Sequence, residues 1–307
     1  MENKIDISVV VPVYNGALTL ENLCQRTKTV FEKMELNYEI IFVDDGSRDQ
    51  SWEVITSLKA KDAEKIFGFQ LSKNSGQQVA TMCGLKQIRG AWAVTLDDDL
   101  QVAPEEIFKL WQETKRIPVD VIYGAYPLLK HGWLHNIGTR IFQKLLKMVA
   151  PDCPQGSSFR LIRADIIKSF PMHLGPWIFI DPILAWLSSA TIIIPVSHEK
   201  SMNGKSRYSF FKLLRLGCQV LIVYSNKPFR IMIWFALISA FSSFITGIYF
   251  IVQKLTVGSQ LGFSAIIVTI SFASSMILLC LGVLGEYIYR IYSMKTGRPA
   301  FTIKSIT

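Results

Sequence analysis

The chain's 307 residues suffice for one large domain or two small ones, and half of them are hydrophobic, which excludes a protein soluble along its whole length. A formal net charge of +9 admits a nucleic acid, an anionic membrane face or a phosphorylated substrate as partner. The five cysteines, Cys24, Cys83, Cys153, Cys218 and Cys280, are scattered without Cys-x-x-Cys pairs, which excludes a cysteine metal site and fits buried thiols in a reducing compartment.

The segment Met1 to Ser8 mixes acids with a lysine, and the run Val9-Val10-Val11 is too short for a signal-peptide core, so the first domain is expected in the cytoplasm. Ile7 to Val13 reads as a buried strand that ends in the turn Pro12-Val13-Tyr14-Asn15-Gly16. Ala17 to Met34 has helical spacing, with Leu20, Leu23, Cys24, Thr27, Val30, Phe31 and Met34 on one face. A second strand, Tyr38 to Val43, ends in Asp44-Asp45-Gly46-Ser47 and is followed by a helix from Gln50 to about Ala63. The third, Ile66 to Leu71, ends in Ser72-Lys73-Asn74-Ser75-Gly76-Gln77, with a helix from Gln78 to Ile88. The fourth, Ala91 to Leu96, runs into Asp97-Asp98-Asp99-Leu100-Gln101. Strands alternating with helices through short connections predict a mostly parallel α/β sheet, covered by helices on both faces, with right-handed crossovers.

In an open sheet of this kind ligands bind beyond the carboxyl ends of the strands, where every polar motif above falls. Side chains alternate along an extended chain, so Asp97 and Asp99 are expected to point the same way. Two like charges about 4 Å apart repel by roughly 4 kcal/mol at an effective dielectric near 20, which favours a proton or a cation between them. Carboxylate and amide oxygens suit Mg²⁺ or Mn²⁺, and Mg²⁺ is commonly held by one or two carboxylates plus substrate phosphates. Read singly, each motif is an ordinary turn or helix cap. Read together, acids for ribose or base, Lys73 for phosphate and paired carboxylates for a metal suit a nucleotide diphosphate. Neither Gly-x-Gly-x-x-Gly nor a Walker loop is present, so dinucleotide enzymes and phosphate-loop ATPases are not supported.

The motifs Val11-Pro12-Val13-Tyr14-Asn15, Val43-Asp44-Asp45-Gly46-Ser47, Asn74-Ser75-Gly76-Gln77 and Leu96-Asp97-Asp98-Asp99-Leu100-Gln101 resemble, in order, those of family 2 glycosyltransferases, in particular the polyprenyl-phosphate branch. The resemblance implies a GT-A, Rossmann-like fold. It implies that Pro12, Tyr14, Asn15, Asp44 and Asp45, beside Lys73 and Asn74, hold the nucleoside diphosphate of a sugar donor. Asp97 would face the donor, Asp97 or Asp98 would orient the nucleophile, and Asp99 and Gln101 would bind Mg²⁺ or Mn²⁺. Three departures stand out: Gly16 where an acid is common, Val102-Ala103-Pro104-Glu105 in place of Asp-Pro-Pro-Glu, and Ser158 in place of the acid of an Asp-Phe-Arg-Leu element.

Farther along, Val119 to Tyr123 reads as a strand, and Lys130 to Ala150 has the apolar and basic alternation of a helix that lies on a membrane or packs on the sheet. Ser158-Phe159-Arg160-Leu161 carries the arginine that the resemblance assigns to phosphate. Pro176 to Ala190 is apolar apart from Asp181 and reads as a buried or membrane-dipping helix, and Ile192 to Val196 as a strand. Gly204-Lys205-Ser206-Arg207-Tyr208 is similar to the family's phosphate-closing loop, with Lys205 where an acid is common and Arg207 as a phosphate contact. A catalytic domain over 1–205, an interfacial helix over 206–228 and a two-helix transmembrane hairpin over 229–288 are expected, the spans at about 229–252 and 261–284, with a cytoplasmic tail over 289–307. Each span meets the roughly 20-residue requirement of a bilayer. Lys227 and Arg230 on one flank and Arg290, Lys295, Arg298 and Lys304 on the other put both ends in the cytoplasm by the positive-inside rule.

These readings converge on an inverting, metal-dependent enzyme of the inner (plasma) membrane. It would move one sugar from a nucleotide diphosphate, with uridine or guanosine by the resemblance and UDP favoured, to a polyprenyl phosphate such as undecaprenyl phosphate, for the cell envelope. A lipid-linked glycan acceptor and a non-catalytic sugar-lipid binding or flipping partner are the alternatives. Nucleic acid is disfavoured because the cations gather near the apolar segments, and a homo-oligomer is left open.

Overall fold

The computed structural model describes residues 4–125, 158–171, 178–197, 263–295 and 299–307, together with isolated positions between 233 and 256. Two units emerge, Met1–Val220 with Pro299–Thr307, and Leu221–Arg298.

The strands of the first unit are β1 (Ile7–Val13), β2 (Tyr38–Asp44), β3 (Ile66–Leu71), β4 (Trp92–Thr95), β5 (Val121–Ala125), β6 (Arg160–Arg163), β7 (Thr191–Pro195) and β8 (Ile303–Ile306). They form one sheet in the order β7-β5-β6-β4-β1-β2-β3-β8. β4, β1, β2 and β3 run parallel, as the alternation of elements predicts. All seven residues of β1 and all seven of β2 are buried, which is why these strands read as unbroken apolar runs.

Helices α1 (Ala17–Met34), α2 (Ser51–Lys61), α3 (Gln77–Leu85) and α4 (Ile107–Arg116) follow β1 to β4, the last after a short 3₁₀ turn at Pro104–Glu106. The expected apolar face of α1 is the observed one: Leu20, Leu23, Cys24, Thr27, Val30 and Phe31 are buried. Gly84 brings α3 onto the opposite face, where a Cβ would collide with Val10 and come within 3.1 Å of Val43. At the end of the sheet remote from the motif loops, buried Glu39 accepts from Ser8 Oγ (2.6 Å), the Arg89 backbone N–H (2.7 Å) and Arg89 Nε (2.7 Å). These bonds satisfy a carboxylate that would be costly there alone.

Two strands depart from the expected parallel order. β6, which periodicity did not reveal, runs antiparallel between β4 and β5. β8 runs antiparallel along the outer edge of β3, pairing Phe69 with Ile306 and Gln70 with Ser305. The last residues, read as a tail, therefore complete the sheet of the first unit. The segment with Asp181 forms α6 (Ile180–Leu187), between a short α5 (Ala164–Lys168) and β7; its Ile180, Pro182, Ile183 and Leu184 are buried while Trp186 is exposed. Among the described residues it is thus a packed helix, not a segment immersed on all sides.

In the second unit α7 (Phe263–Lys295) is the one described helix long and apolar enough to cross a membrane, and none of its Phe272–Tyr289 stretch is buried within the protein. At 1.5 Å per residue it extends about 50 Å, more than a bilayer core of about 30 Å. The first expected span and the 206–228 helix lie mostly or wholly outside the described residues, as does the 130–150 helix.

Burial separates the thiols. It pushes Cys24 up to about 11 and Cys83 up to about 12, whereas Cys280 on α7 is partly exposed. A neutral buried thiol is a poor nucleophile. Iodoacetamide at pH 8 followed by peptide mapping should therefore leave Cys24 and Cys83 unlabelled until the protein is denatured.

Candidate active site

The chain passes from β1 to β2 on one side and, after β3, crosses back to place β4 on the other side of β1. The loops after β1 and β4 therefore part at a topological switch point, the position at which open α/β sheets bind ligands. The β1 loop is shaped by Asn15, left-handed at φ 53°, a conformation asparagine tolerates. Asn15 donates its backbone N–H to Ser47 Oγ (3.0 Å) and accepts from the Arg48 N–H (2.9 Å), which ties the first motif to the second. Tyr14 is partly exposed beside it. Pro12 is buried near the end of β1, two residues beyond Val10, the last β1 residue paired with β4.

The two acids at the end of β2 are also bonded within the protein. Asp44, fully buried, accepts from the Ser47 N–H (3.0 Å) and Gln70 Nε2 (3.0 Å). Asp45 accepts from the backbone N–H groups of Ser75 (2.6 Å) and Gly76 (2.8 Å), so its carboxylate holds the third motif against the second. Burial pushes the Asp45 carboxyl up, opposed by those two N–H bonds and reinforced by Asp44. Gly46 at φ +66° lets the turn pass under the next loop, since a Cβ would lie 2.9 Å from the Asn74 nitrogen. Lys73 and Asn74 stay exposed at the rim.

The aspartate triplet lies just past β4, in a turn where Leu100 takes φ 57°. Strand alternation therefore does not explain why Asp97 and Asp99 share a site; the turn does, and it sets Asp99 near enough to raise the Asp97 carboxyl. Burial is the larger cause of that rise, while Ser158, Arg160 and Gln77 pull it back. Asp97 is gripped on both oxygens, Oδ1 by Gln77 Nε2 (2.7 Å) and Oδ2 by Ser158 Oγ (2.5 Å). Asp98 turns away: it is buried, and its Oδ2 accepts the Tyr14 N–H at 3.1 Å. The same oxygen lies 2.5 Å from where a Gly16 Cβ would stand, which accounts for glycine in place of an acid. The bond from the Tyr14 N–H commits Oδ2 of Asp98 to the β1 turn. Asp99 accepts from its own turn, the Gln101 N–H at 3.2 Å, and both residues are partly exposed.

Arg160 is close enough to Asp97 to lower that carboxyl. It is 1% exposed and pairs at 2.7 Å with Asp181 of α6, and its guanidinium lies 5.9 Å from the centre of the Tyr123 ring. On a strand flanked by β4 and β5, that ion pair engages the guanidinium with Asp181. Arg207 lies outside the described residues. Gln77, Ser158 and Asp181 were not singled out for these roles. Gln77 and Ser158 sit in quoted motifs, and Asp181 is the lone acid of an apolar segment, so a signal existed but no partner could be named.

Asp97, Asp99 and Gln101 offer only oxygen donors, the set a hard divalent cation prefers. Among the described residues no group of three His, Cys, Asp or Glu forms a self-sufficient metal cage. Two neighbouring carboxylates that share a cation with substrate phosphates would fit the manner in which Mg²⁺ is usually bound.

Residues 8–163 match the model of Glycosyl transferase family 2. The chain belongs to that family. This glycosyltransferase is 31% identical to the undecaprenyl-phosphate 4-deoxy-4-formamido-L-arabinose transferase of Edwardsiella ictaluri, over 98% of this chain and 94% of the relative. Its fold is similar to that of glucosyl-3-phosphoglycerate synthase from Mycobacterium tuberculosis, solved with Mn²⁺ and uridine diphosphate, with TM-score 0.51 and 16% identity over 71% of this chain and 78% of the other. Mannosyl-3-phosphoglycerate synthase from Rubrobacter xylanophilus gives TM-score 0.53 and 18% identity over 71% and 72%. The family 2 transferase thus has the GT-A-like α/β fold expected of it.

Proposed function

We propose that this glycosyltransferase moves a single sugar from a nucleotide diphosphate sugar to a polyprenyl phosphate at the cytoplasmic face of a membrane. The observation that carries the reading is similarity along nearly the whole chain to a relative named for an undecaprenyl-phosphate acceptor. The crevice supports the donor half. The loops bound together by Asn15 and Asp45 form a rim for a nucleoside, with Lys73 and Asn74 exposed on it, and Asp97, Asp99 and Gln101 face a diphosphate from the neighbouring strand end.

Mg²⁺ or Mn²⁺, held by Asp99 and Gln101 beside Asp97, would supply charge neutralisation of the departing nucleoside diphosphate. Asp97 orients the reacting groups and Arg207 steadies the acceptor phosphate. A phosphate monoester with a second pKa near 6 is already largely anionic at neutral pH, so no strong general base is required. In-line attack opposite the leaving group inverts the anomeric carbon, and the donor is a UDP-sugar.

The path of the chain supports a membrane hairpin. β8 is hydrogen-bonded to β3 of the catalytic sheet, so whatever crosses a bilayer between residues 220 and 299 must cross it an even number of times. With α7 as one crossing, the apolar run 229–252 is the other, entered through the interfacial helix at 206–228.

The test is a panel of radiolabelled UDP- and GDP-sugars incubated with membranes containing the protein and undecaprenyl phosphate. One UDP-sugar should move label into the organic phase, and EDTA should abolish the transfer. Label appearing only on a preformed lipid-linked glycan, or transfer that survives EDTA, would overturn the acceptor or the metal assignment respectively.

A further inference from the structure

Gln77 and Ser158 approach Asp97 from two different elements. Gln77 is the first residue of α3, and its side chain donates to Oδ1 at 2.7 Å; Ser158 leads into β6, and its hydroxyl donates to Oδ2 at 2.5 Å. Neither donor hangs on a loose loop. The Ser158 carbonyl accepts from Thr95 Oγ1 on β4 (2.5 Å), the next carbonyl, of Phe159, accepts from the Gly124 N–H on β5 (3.0 Å), and Arg160 is buried in its ion pair with Asp181. On the other side, Gly76 just before Gln77 is bonded to Asp45. Gln78 just after it accepts the Ile180 N–H at 3.1 Å, which joins α3 to the start of α6. The donors are neutral, so they fix the carboxylate without cancelling the charge a cation needs.

We propose that Gln77 and Ser158 are positioning residues that clamp the Asp97 carboxylate in the orientation used for the donor diphosphate and its cation. This rests on the proposed function. Oriented ligands bind more tightly because the carboxylate has no rotamer freedom left to lose on binding, and partners that orient a ligating group are commonly worth about 10–100-fold in metal affinity or activity. Serine at 158, where the related motif carries an acid, is what makes the clamp workable: an acid there would set a second negative charge against Asp97, while the hydroxyl supplies a proton to it.

The experiment uses the full-length protein in detergent. Mn²⁺ affinity is read by electron paramagnetic resonance in the presence of UDP, and kcat and KM by organic-phase transfer. Ser158→Ala and Gln77→Leu should each weaken Mn²⁺ binding and lower kcat by about tenfold, with thermal stability held, and Ser158→Thr should restore both to within about threefold. In an Asp97→Ala background, compared by Mn²⁺ binding, neither substitution should cost a further factor of about two, because each acts only through Asp97. Unchanged affinity in Ser158→Ala and Gln77→Leu, or equal losses with Asp97 absent, would overturn the clamp. A wild-type protein that binds neither UDP nor Mn²⁺ would instead overturn the proposed function on which the clamp rests.

Discussion

Asp99→Ala should leave a folded protein whose sugar transfer is reduced by about a thousandfold, a loss of roughly 4 kcal/mol of transition-state stabilisation. The fold should tolerate the change because the hydrogen bond the carboxylate accepts at 3.2 Å is from the Gln101 N–H of its own partly exposed turn. Surface substitutions of that kind commonly fall within about 0.5 kcal/mol. Chemistry should not tolerate it, because one of the two adjacent carboxylates proposed to serve the diphosphate is gone, and Asp97, already held by two neutral donors, cannot swing across to replace it. Steady-state transfer at several Mg²⁺ and Mn²⁺ concentrations, with circular dichroism melting as the control, checks both halves. Turnover within tenfold of wild type at saturating metal would remove Asp99 from the site. Asp98→Ala should show the converse pattern, a loss of stability, since its buried carboxylate is bonded to the Tyr14 N–H.

The second large effect is on stability. Arg160→Met should destabilise the catalytic unit by about 3–5 kcal/mol, because it leaves the Asp181 carboxylate, 18% exposed at its side chain, without the buried guanidinium that balances it. For a unit of this size that corresponds to a fall in Tm on the order of 10 °C. Arg160→Met combined with Asp181→Leu should recover much of the loss, as buried ion pairs replaced by apolar side chains often do. Burial pushes the Asp181 carboxyl up, and Arg160, the Tyr123 hydroxyl and their hydrogen bonds pull it back. With Arg160 removed the folded-state value rises further above that of the unfolded chain. Such a group contributes stability below its unfolded value and loses that contribution as pH rises through the folded one. The Tm gap between wild type and Arg160→Met should therefore widen from acid toward neutral pH. A gap of less than 2 °C at every pH, as expected for an arginine that reaches out to a phosphate, would contradict the interior ion pair.

Much of the fold was legible because its first half obeys local rules. Ile7–Val13, Tyr38–Asp44 and Ile66–Leu71 are apolar runs of strand length between helical periods, and the alternation of elements leaves few arrangements other than a parallel sheet. β6 was not legible: four residues with arginine at each end carry no periodicity, and they become a strand only because β4 and β5 stand on either side to pair with them. β8 was missed for the same reason, being Ile303–Ile306 paired with an edge more than two hundred residues earlier in the chain. The site divides similarly. That the motifs after β1 to β4 meet in one place followed from sheet topology. Which acids face the crevice did not: of the triplet, Asp98 is drawn into the β1 turn by one backbone N–H, and Asp44 and Asp45 are occupied by neighbouring loops.

From its own order of residues the chain determined which stretches are strands and helices, that the acids fall at strand ends, and that two stretches are apolar enough for a bilayer. Those properties depend on residue type and spacing along a few turns of backbone. The tertiary structure alone decided the partners: Gln77 and Ser158 on Asp97, Asp181 on Arg160, Gly16 against Asp98, and β8 on β3. Each of those contacts joins residues far apart in sequence, and its energy depends on distance and burial that no local pattern encodes.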